Sequence, residues 1–258
     1  MPAHVTKENV NSIFFDGFYK EMWRTAIPAG LTEHEVNFML QYFNLQPGSK
    51  VLDIMCGYGR HTLGLARKAV HVTAVDNLSE YISDLQKIVE EEKLPVKYMA
   101  ADIMSFKAEE PVDLAICMGN SLNFFDETDA KHIMSVVAEA LKPGGNFLIN
   151  SWSLAEIVIK DFREKNWSYV GDYKFLTDSR YLFNPTRIET ESFIINKDGH
   201  TEQKKGVDYI FSLAEMEKML TGAGLFIKEV FSIPGKKKFA LGEPRAYIIA
   251  EKNNSSIK

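Results

Sequence analysis

Three carboxylates stand where apolar stretches of this sequence run out: Asp53 in VLDI, Asp76 in HVTAVD and Asp102 in VKYMAAD. A carboxylate at the end of an apolar strand costs free energy unless hydrogen bonds are donated to it, so each marks a polar network. Directly after the first comes a turn containing Gly57 and Gly59, where backbone can approach a ligand to contact distance. The helix expected from about Arg60 directs its positive end to the same spot. Asp76, ending the strand that follows this turn, has the position and chemistry to accept hydrogen bonds from both hydroxyls of a ribose. Asp102, one strand further, is suited to accept from the exocyclic amine of adenine, with Ile103 flanking the ring. The competing structural reading is that Asp76 and Asp102 cap the turns that follow them. The pair, combined with residues 51–62, favours a nucleoside ligand.

A dinucleotide turn would read G-x-G-x-x-G, but Gly57 and Gly59 are followed by Thr62, and an Asp stands in the preceding strand. A phosphate-binding lysine motif of the Walker type is absent. No histidine or cysteine spacing fits a metal, so no metal is expected. Cys56 and Cys117 read as small core residues of a reducing compartment. His61, beside the glycine turn, is a candidate general base, with a structural role as the alternative; Tyr19 and Asn120 are the other catalytic candidates.

The elements that must position these groups alternate. A strand over residues 51–54 runs through the turn into a helix reaching about Arg67. The strand 71–76 leads to a helix that Asn77 and Glu80 are expected to cap, with Ile82, Leu85, Ile88 and Val89 inward. Strands 96–102 and 111–120 follow. A helix from Asp126 to Leu141 is stopped by Pro143, and Gly144 and Gly145 turn the chain into the strand NFLINSW. Strands joined by helical crossovers predict a mainly parallel, doubly wound α/β sheet. Ahead of it, Phe15, Phe18, Tyr19, Met22 and Trp23 form one face of a helix over 13–25, and Thr32 with Glu35 reads as the capping box of a second.

The rhythm breaks after Trp152. A helix over Ser153 to Phe162 is followed by β-type patterning over 166–211, with the tight hairpin signal Asp-Gly in NKDGHT (196–201). Residues 153–208 are therefore expected to be an antiparallel insertion into a core of 1–152 and 209–258, whose first 45 residues form a helical cap. The core pattern resumes with the capping box Ser212/Glu215, a helix with Leu213, Met216, Met219 and Leu220 inward, and two final strands. The tail from Asn253 is expected to fray.

The chain has 258 residues, 45% of them hydrophobic, enough to bury a large single core. A net charge of -5 and a pI near 5.8 argue against a protein that grips nucleic acid through phosphates. No apolar run approaches the roughly 20 residues that cross a bilayer, so no membrane partner is expected and the cytoplasm is the expected location.

LDIMCGYGR (52–60), VTAVD (72–76), AADI (100–103), DLAICMGNS (113–121) and LKPGGNFLI (141–149) occur in order at suitable spacing. This series resembles the class I S-adenosylmethionine-dependent methyltransferases, in the small-molecule branch with a first motif of the type L-D-x-x-C-G-x-G-R. The resemblance implies a seven-stranded Rossmann-like sheet whose last strand lies antiparallel between its neighbours. It implies S-adenosylmethionine as cofactor and a small-molecule methyl acceptor with an N or O nucleophile, in a monomer or homodimer. Met55, Cys56, Gly57, Tyr58 and Gly59 would lie along its methionine portion, Asp76 and Asn77 at its ribose, Asp102 and Ile103 at its adenine. Met118, Gly119 and Asn120 would face the transferred methyl, and Asp53 would organise the turn. Many relatives have glycine where Met55 stands; an ordinary backbone with an inward Met is expected here. DNLS (76–79) stands where DLS is more usual, and Asn77 is expected to take the helix cap. Tyr19, Trp23 and Arg24 would close over the cofactor unless the aromatic stripe is simply core. The insertion would roof the acceptor pocket, with Trp167, Tyr169, Tyr173, Tyr181 and Arg187 as walls, or pair with its copy.

Overall fold

The computed structural model describes residues 9–28 and 30–253. The tail from Asn254 onward, expected to fray, lies outside the described residues.

In chain order the elements are α1 Gly17–Ala26, α2 Leu31–Tyr42, β1 Lys50–Ile54, α3 Arg60–Ala66, β2 His71–Asp76, α4 Ser79–Glu92, β3 Val96–Ala100, β4 Val112–Cys117, α5 Glu127–Ala140 and β5 Leu141–Ser151. Then come α6 Ala155–Asp161, β6 Lys165–Val170, β7 Tyr173–Phe183, β8 Thr186–Ile195, β9 Thr201–Tyr209, α7 Leu213–Gly222, β10 Leu225–Ile233, β11 Lys237–Lys238 and β12 Ala246–Lys252. The main sheet runs β11-β10-β12-β5-β4-β1-β2-β3. From β5 to β3 all pairs are parallel, while β12 is antiparallel to both β5 and β10. Seven of the strands are those expected; the eighth, β11, is a two-residue edge addition from the final loop.

The parallel strands are nearly continuous apolar runs because helices cover both faces. On one side α5, α6 and α7 pack Ile133, Met134, Ile157 and Met216 against Leu52, Ala115, Phe147 and Ile248. On the other, α2 and α3 pack Val36, Met39 and Leu65 against Val51, Ile116, Leu148 and Ile249. The Ser212/Glu215 capping box forms at α7 as expected.

Two expected caps are not made. Gly30, in the left-handed region, is the N-cap of α2, and Thr32 and Glu35 both turn to the Arg60 guanidinium instead, at 3.0 and 2.6 Å. A buried ion pair outweighs a local cap because no water competes for it. At α4 the N-cap is Leu78, and Asp76 rather than Asn77 accepts from its amide at 3.0 Å. Asp76 wins because its carboxylate is fixed at the strand end while Asn77 faces solvent.

The insertion is a four-stranded antiparallel sheet, β6-β7-β8-β9. It carries the N-terminal segment along the carboxyl edge of the main sheet. The Asn11 side chain donates to the Val207 carbonyl at 3.0 Å and accepts from the Val207 amide at 2.8 Å. Glu202 accepts from the Phe18 amide, and Lys204 pairs with Asp16. Gly206 leaves room for Phe14, since a Cβ there would meet its ring at 2.9 Å.

Candidate cofactor and acceptor site

The chain leaves β1 through three left-handed residues: Met55 at φ 53°, Gly57 at 56° and Gly59 at 79°. The ordinary backbone expected of Met55 is not found. Leaving the strand toward α3 requires a left-handed residue at that position, and the Met side chain, half-buried against the α5 side of the core, offsets its cost of about 1–2 kcal/mol. Gly59 caps α3, and a Cβ there would meet Leu85 at 2.6 Å.

Above this turn lies a cavity of about 860 Å³, bounded by the carboxyl ends of β1 to β5 below and by residues 9–28 above. Asp53, Met55, Cys56, Gly57 and Tyr58 line it, as do Asp76 and Asn77 at β2 and Asp102 and Ile103 after β3. Met118 and Gly119, after β4, line it too. Gly59 and Asn120 do not. Of the catalytic candidates, Tyr19 and His61 reach it.

Asp76 is 7% exposed and bridges two elements: the Gly57 amide donates to one carboxylate oxygen at 2.8 Å and the Leu78 amide to the other. Burial raises its carboxyl from the ordinary value, and these two amides oppose the rise. Asp102 accepts from the Met104 amide at 2.9 Å while its exposed carboxylate faces the cavity mouth. Capping and facing the cavity thus coexist in both residues. Asp53 is 2% exposed and accepts from the Thr62 hydroxyl at 2.6 Å. Burial pushes its carboxyl up to about 7, against the Thr62 hydrogen bond and the Arg60 charge. Thr62 stands where a dinucleotide turn would have its third small residue, so the departure from that motif is itself the support of Asp53.

His61 is buried, with Nε2 2.9 Å from Glu35. Glu35 is the hub of this corner, meeting Arg60, His61 and, at 2.7 Å, the Tyr247 hydroxyl. Burial alone would raise the Glu35 carboxyl, but His61, Arg60 and Tyr247 outweigh it and hold it at about 2. Burial lowers His61 despite the carboxylate, so the neutral ring donates its Nε2–H to an ionised Glu35.

Asn120 is fully buried and left-handed at φ 68°. Its amide nitrogen donates to Ser153 Oγ at 2.8 Å and Asp208 Oδ1 at 2.9 Å, and its oxygen accepts from Ser151 Oγ and the Trp152 and Ser153 amides. It clamps β4, β5 and β9 together.

The roof is aromatic. Tyr19 stacks on Trp23 at 6.0 Å, and Trp23 meets Trp152 at 5.9 Å. Burial, with Asp208 nearby, raises the Tyr19 hydroxyl well above its ordinary value, so it stays protonated. Arg24 is engaged with Asp84 at 2.8 Å and covers Tyr58 rather than entering the cavity. None of residues 153–208 lines the cavity. Trp167 and Tyr169 are exposed, Tyr173 bonds Glu21, Tyr181 packs on Phe162, and Arg187 pairs with Glu189. The insertion holds the roof in place rather than forming it. The local pattern at Glu35 points only to a helix cap, and no local pattern distinguishes Asn11, Trp152 or Arg245.

The architecture defines a Rossmann-like methyltransferase fold. Residues 51–145 match the family model described as a methyltransferase domain. A methyltransferase of Clostridium acetobutylicum dependent on S-adenosylmethionine superposes with a TM-score of 0.77 at 18% identity, covering 92% of this chain and 96% of that one. An amino pentose methyltransferase from Micromonospora echinaspora, solved with S-adenosylmethionine bound, gives 0.70 at 16%, over 92% and 98%. By sequence, the ubiquinone biosynthesis O-methyltransferase of Xylella fastidiosa is 34% identical over 106 residues, 40% of this chain and 42% of that protein. The chain spans about half the length, or less, of this relative and of an S-adenosyl-L-methionine-dependent Diels-Alderase from Neonectria, 28% identical over 131 residues. Among the described residues no cluster of His, Cys, Asp and Glu fits a metal, and no helix is long and apolar enough to cross a membrane.

Proposed function

We propose that the protein transfers the methyl group of S-adenosylmethionine to a nitrogen or oxygen nucleophile of a small organic molecule in the cytoplasm. The observation that carries this reading is the placing of three cavity-lining carboxylates on successive strand ends, Asp53, Asp76 and Asp102, around the left-handed turn at Gly57.

The residues present fit that cofactor. Asp76 suits the ribose diol, and Asp102 with Ile103 suits the adenine edge and face. The turn from Met55 to Tyr58 offers backbone to the methionine portion, and a Cβ at Gly57 would meet nothing within 4 Å. When bound, the cofactor supplies an electrophilic methyl on sulfur. Methyl transfer is an in-line displacement that needs alignment and exclusion of water rather than a covalent catalyst. Tyr19, Trp23 and Trp152 supply an apolar lid over the reacting centre. Met118 and Gly119 define the floor from which the acceptor approaches. A protonated Tyr19 hydroxyl orients the acceptor by hydrogen bonding.

Calorimetric titration with S-adenosylhomocysteine tests the cofactor. Asp76→Asn is expected to weaken binding about 10- to 100-fold, the loss of charge-assisted bonds to two hydroxyls. Wild-type protein that does not bind it, or an Asp76→Asn variant that binds equally well, refutes the reading. Release of S-adenosylhomocysteine across amines and phenols separates an enzyme from a protein that only binds.

A further inference from the structure

Arg245 is the cavity's least explained residue. It immediately precedes β12, and since Ala246 pairs with Ser151, Arg245 stands level with Trp152 at the carboxyl end of β5. Both line the cavity. The guanidinium is half-buried, and among the described residues no Asp or Glu forms an ion pair with it. It lies close to the Tyr247 hydroxyl, whose own proton goes to Glu35 at 2.7 Å. Arg60, the other guanidinium at the cavity, is in contrast 2.6 Å from Glu35. A half-buried guanidinium with no carboxylate paired to it leaves a charge at the cavity that an anion would complete.

The strand order favours a molecule other than the nucleoside as the source of that anion. β12 is separated from β1 by β5 and β4, so at about 4.8 Å per strand its backbone end lies roughly 14 Å from the glycine turn and further still from Asp76 and Asp102, although the Arg245 side chain, beside Tyr247, reaches back toward Glu35 and Arg60. That backbone end is beyond the stretch of cavity that serves the nucleoside. The cavity is therefore polarised: carboxylates at the β1 to β3 end, and an uncompensated cation with a tryptophan wall at the β5 and β12 end.

We propose that the β5/β12 end of the cavity is the acceptor's anion subsite, anchored by Arg245, so that the acceptor carries a carboxylate or phosphate group as well as its nucleophile. This rests on the methyl-transfer reading above. A guanidinium presents two parallel N–H donors to either oxyanion and so fixes orientation as well as affinity. Trp152 beside it would cover the acceptor's apolar body.

The test uses wild-type protein, Arg245→Gln and Arg245→Lys. Each is titrated with S-adenosylhomocysteine and with methylthioadenosine, which lacks the amino acid portion, and thermal midpoints are compared. With S-adenosylmethionine present, product release is then followed over matched pairs: para-hydroxybenzoate and its amide, glycine and glycinamide, phosphoethanolamine and ethanolamine. At least one anionic member is expected to exceed its neutral twin by about tenfold or more in kcat/KM, as one charge-assisted contact warrants. Arg245→Gln should abolish that preference by raising KM, with kcat and both titrations little changed, and Arg245→Lys should restore part of it. The carboxylate and phosphate arms separate the two oxyanion classes. Neutral twins used as well as the anions, or no turnover of any anionic member, overturns the subsite. So does an Arg245→Gln variant that loses S-adenosylhomocysteine but keeps methylthioadenosine, because Arg245 would then hold the cofactor's own carboxylate. Failure of wild type to bind S-adenosylhomocysteine refutes the methyl-transfer reading itself and is distinct from all of these.

Discussion

Asn11 and Val207 exchange two hydrogen bonds, side chain to backbone, across 196 residues of chain. The same amide also donates to the Phe124 carbonyl at 3.0 Å, so one buried asparagine ties the roof to the insertion and to the loop after β4. Asn11→Ala leaves the Val207 amide unpaired. It is expected to cost about 2–3 kcal/mol in urea unfolding and to expose residues 9–28 to faster proteolysis. Unchanged proteolysis of that segment would mean that the roof is held by other contacts.

The approach of Gly59 to Leu85 predicts a contrast between two glycines. Gly59→Ala adds a Cβ 2.6 Å from Leu85 at φ 79°, whereas Gly57→Ala, at φ 56°, meets nothing within 4 Å. Both carry the left-handed cost of about 1–2 kcal/mol, and Gly59→Ala adds about 1–3 kcal/mol of overpacking. Denaturant midpoints for the two variants give the difference; equal values would mean that Leu85 moves aside freely.

Asp53 predicts a pH dependence. Burial raises its carboxyl from an ordinary 3.8 to about 7, although Thr62 and Arg60 pull the other way and only Asp76 among its charged neighbours adds to the rise. The folded protein therefore binds this proton more tightly than the unfolded chain. Stability contributed by the protonated group is fully present below about pH 4, is lost as pH rises to about 7, and is level above. A cationic cofactor favours the ionised carboxyl, so its affinity should rise with pH up to about 7 and then flatten. Asp53→Asn should remove that rise; a profile identical to wild type would place the titration elsewhere.

Asn120 has five side-chain hydrogen bonds and no face on the cavity. Asn120→Ala strands the Trp152 amide, while the Ser153 amide keeps Ser151 Oγ and Asp208 keeps the Ser153 hydroxyl, with an expected loss of about 2–3 kcal/mol. The fraction that stays folded should bind S-adenosylhomocysteine within about threefold of wild type, since 1.4 kcal/mol corresponds to tenfold. A tenfold weaker site in a protein of unchanged stability would put Asn120 at the cofactor.

Much of the fold was legible because its signals are short-range. The apolar runs of β1, β2 and β4, the crossover helices, the Asp-Gly hairpin and the Ser212/Glu215 box are each written within a few residues. So are the glycine turn and the carboxylates that end three strands. The caps at Thr32/Glu35 and Asn77 failed because each local pattern met a stronger partner in the folded chain: Arg60 for the first pair, Asp76 for the second. Met55 is left-handed because the turn demands it, whatever that residue prefers alone.

The sequence by itself determined a doubly wound sheet whose carboxyl edge offers a glycine turn and acidic strand ends to a nucleoside, since periodicity and turn chemistry act locally. Only the tertiary structure decided that the insertion carries the roof instead of lining the cavity. It alone made Glu35 the hub for Arg60, His61 and Tyr247, and set Arg245 beside Trp152. Those relationships join residues far apart in the chain, and their chemistry exists only after packing has removed the water between them.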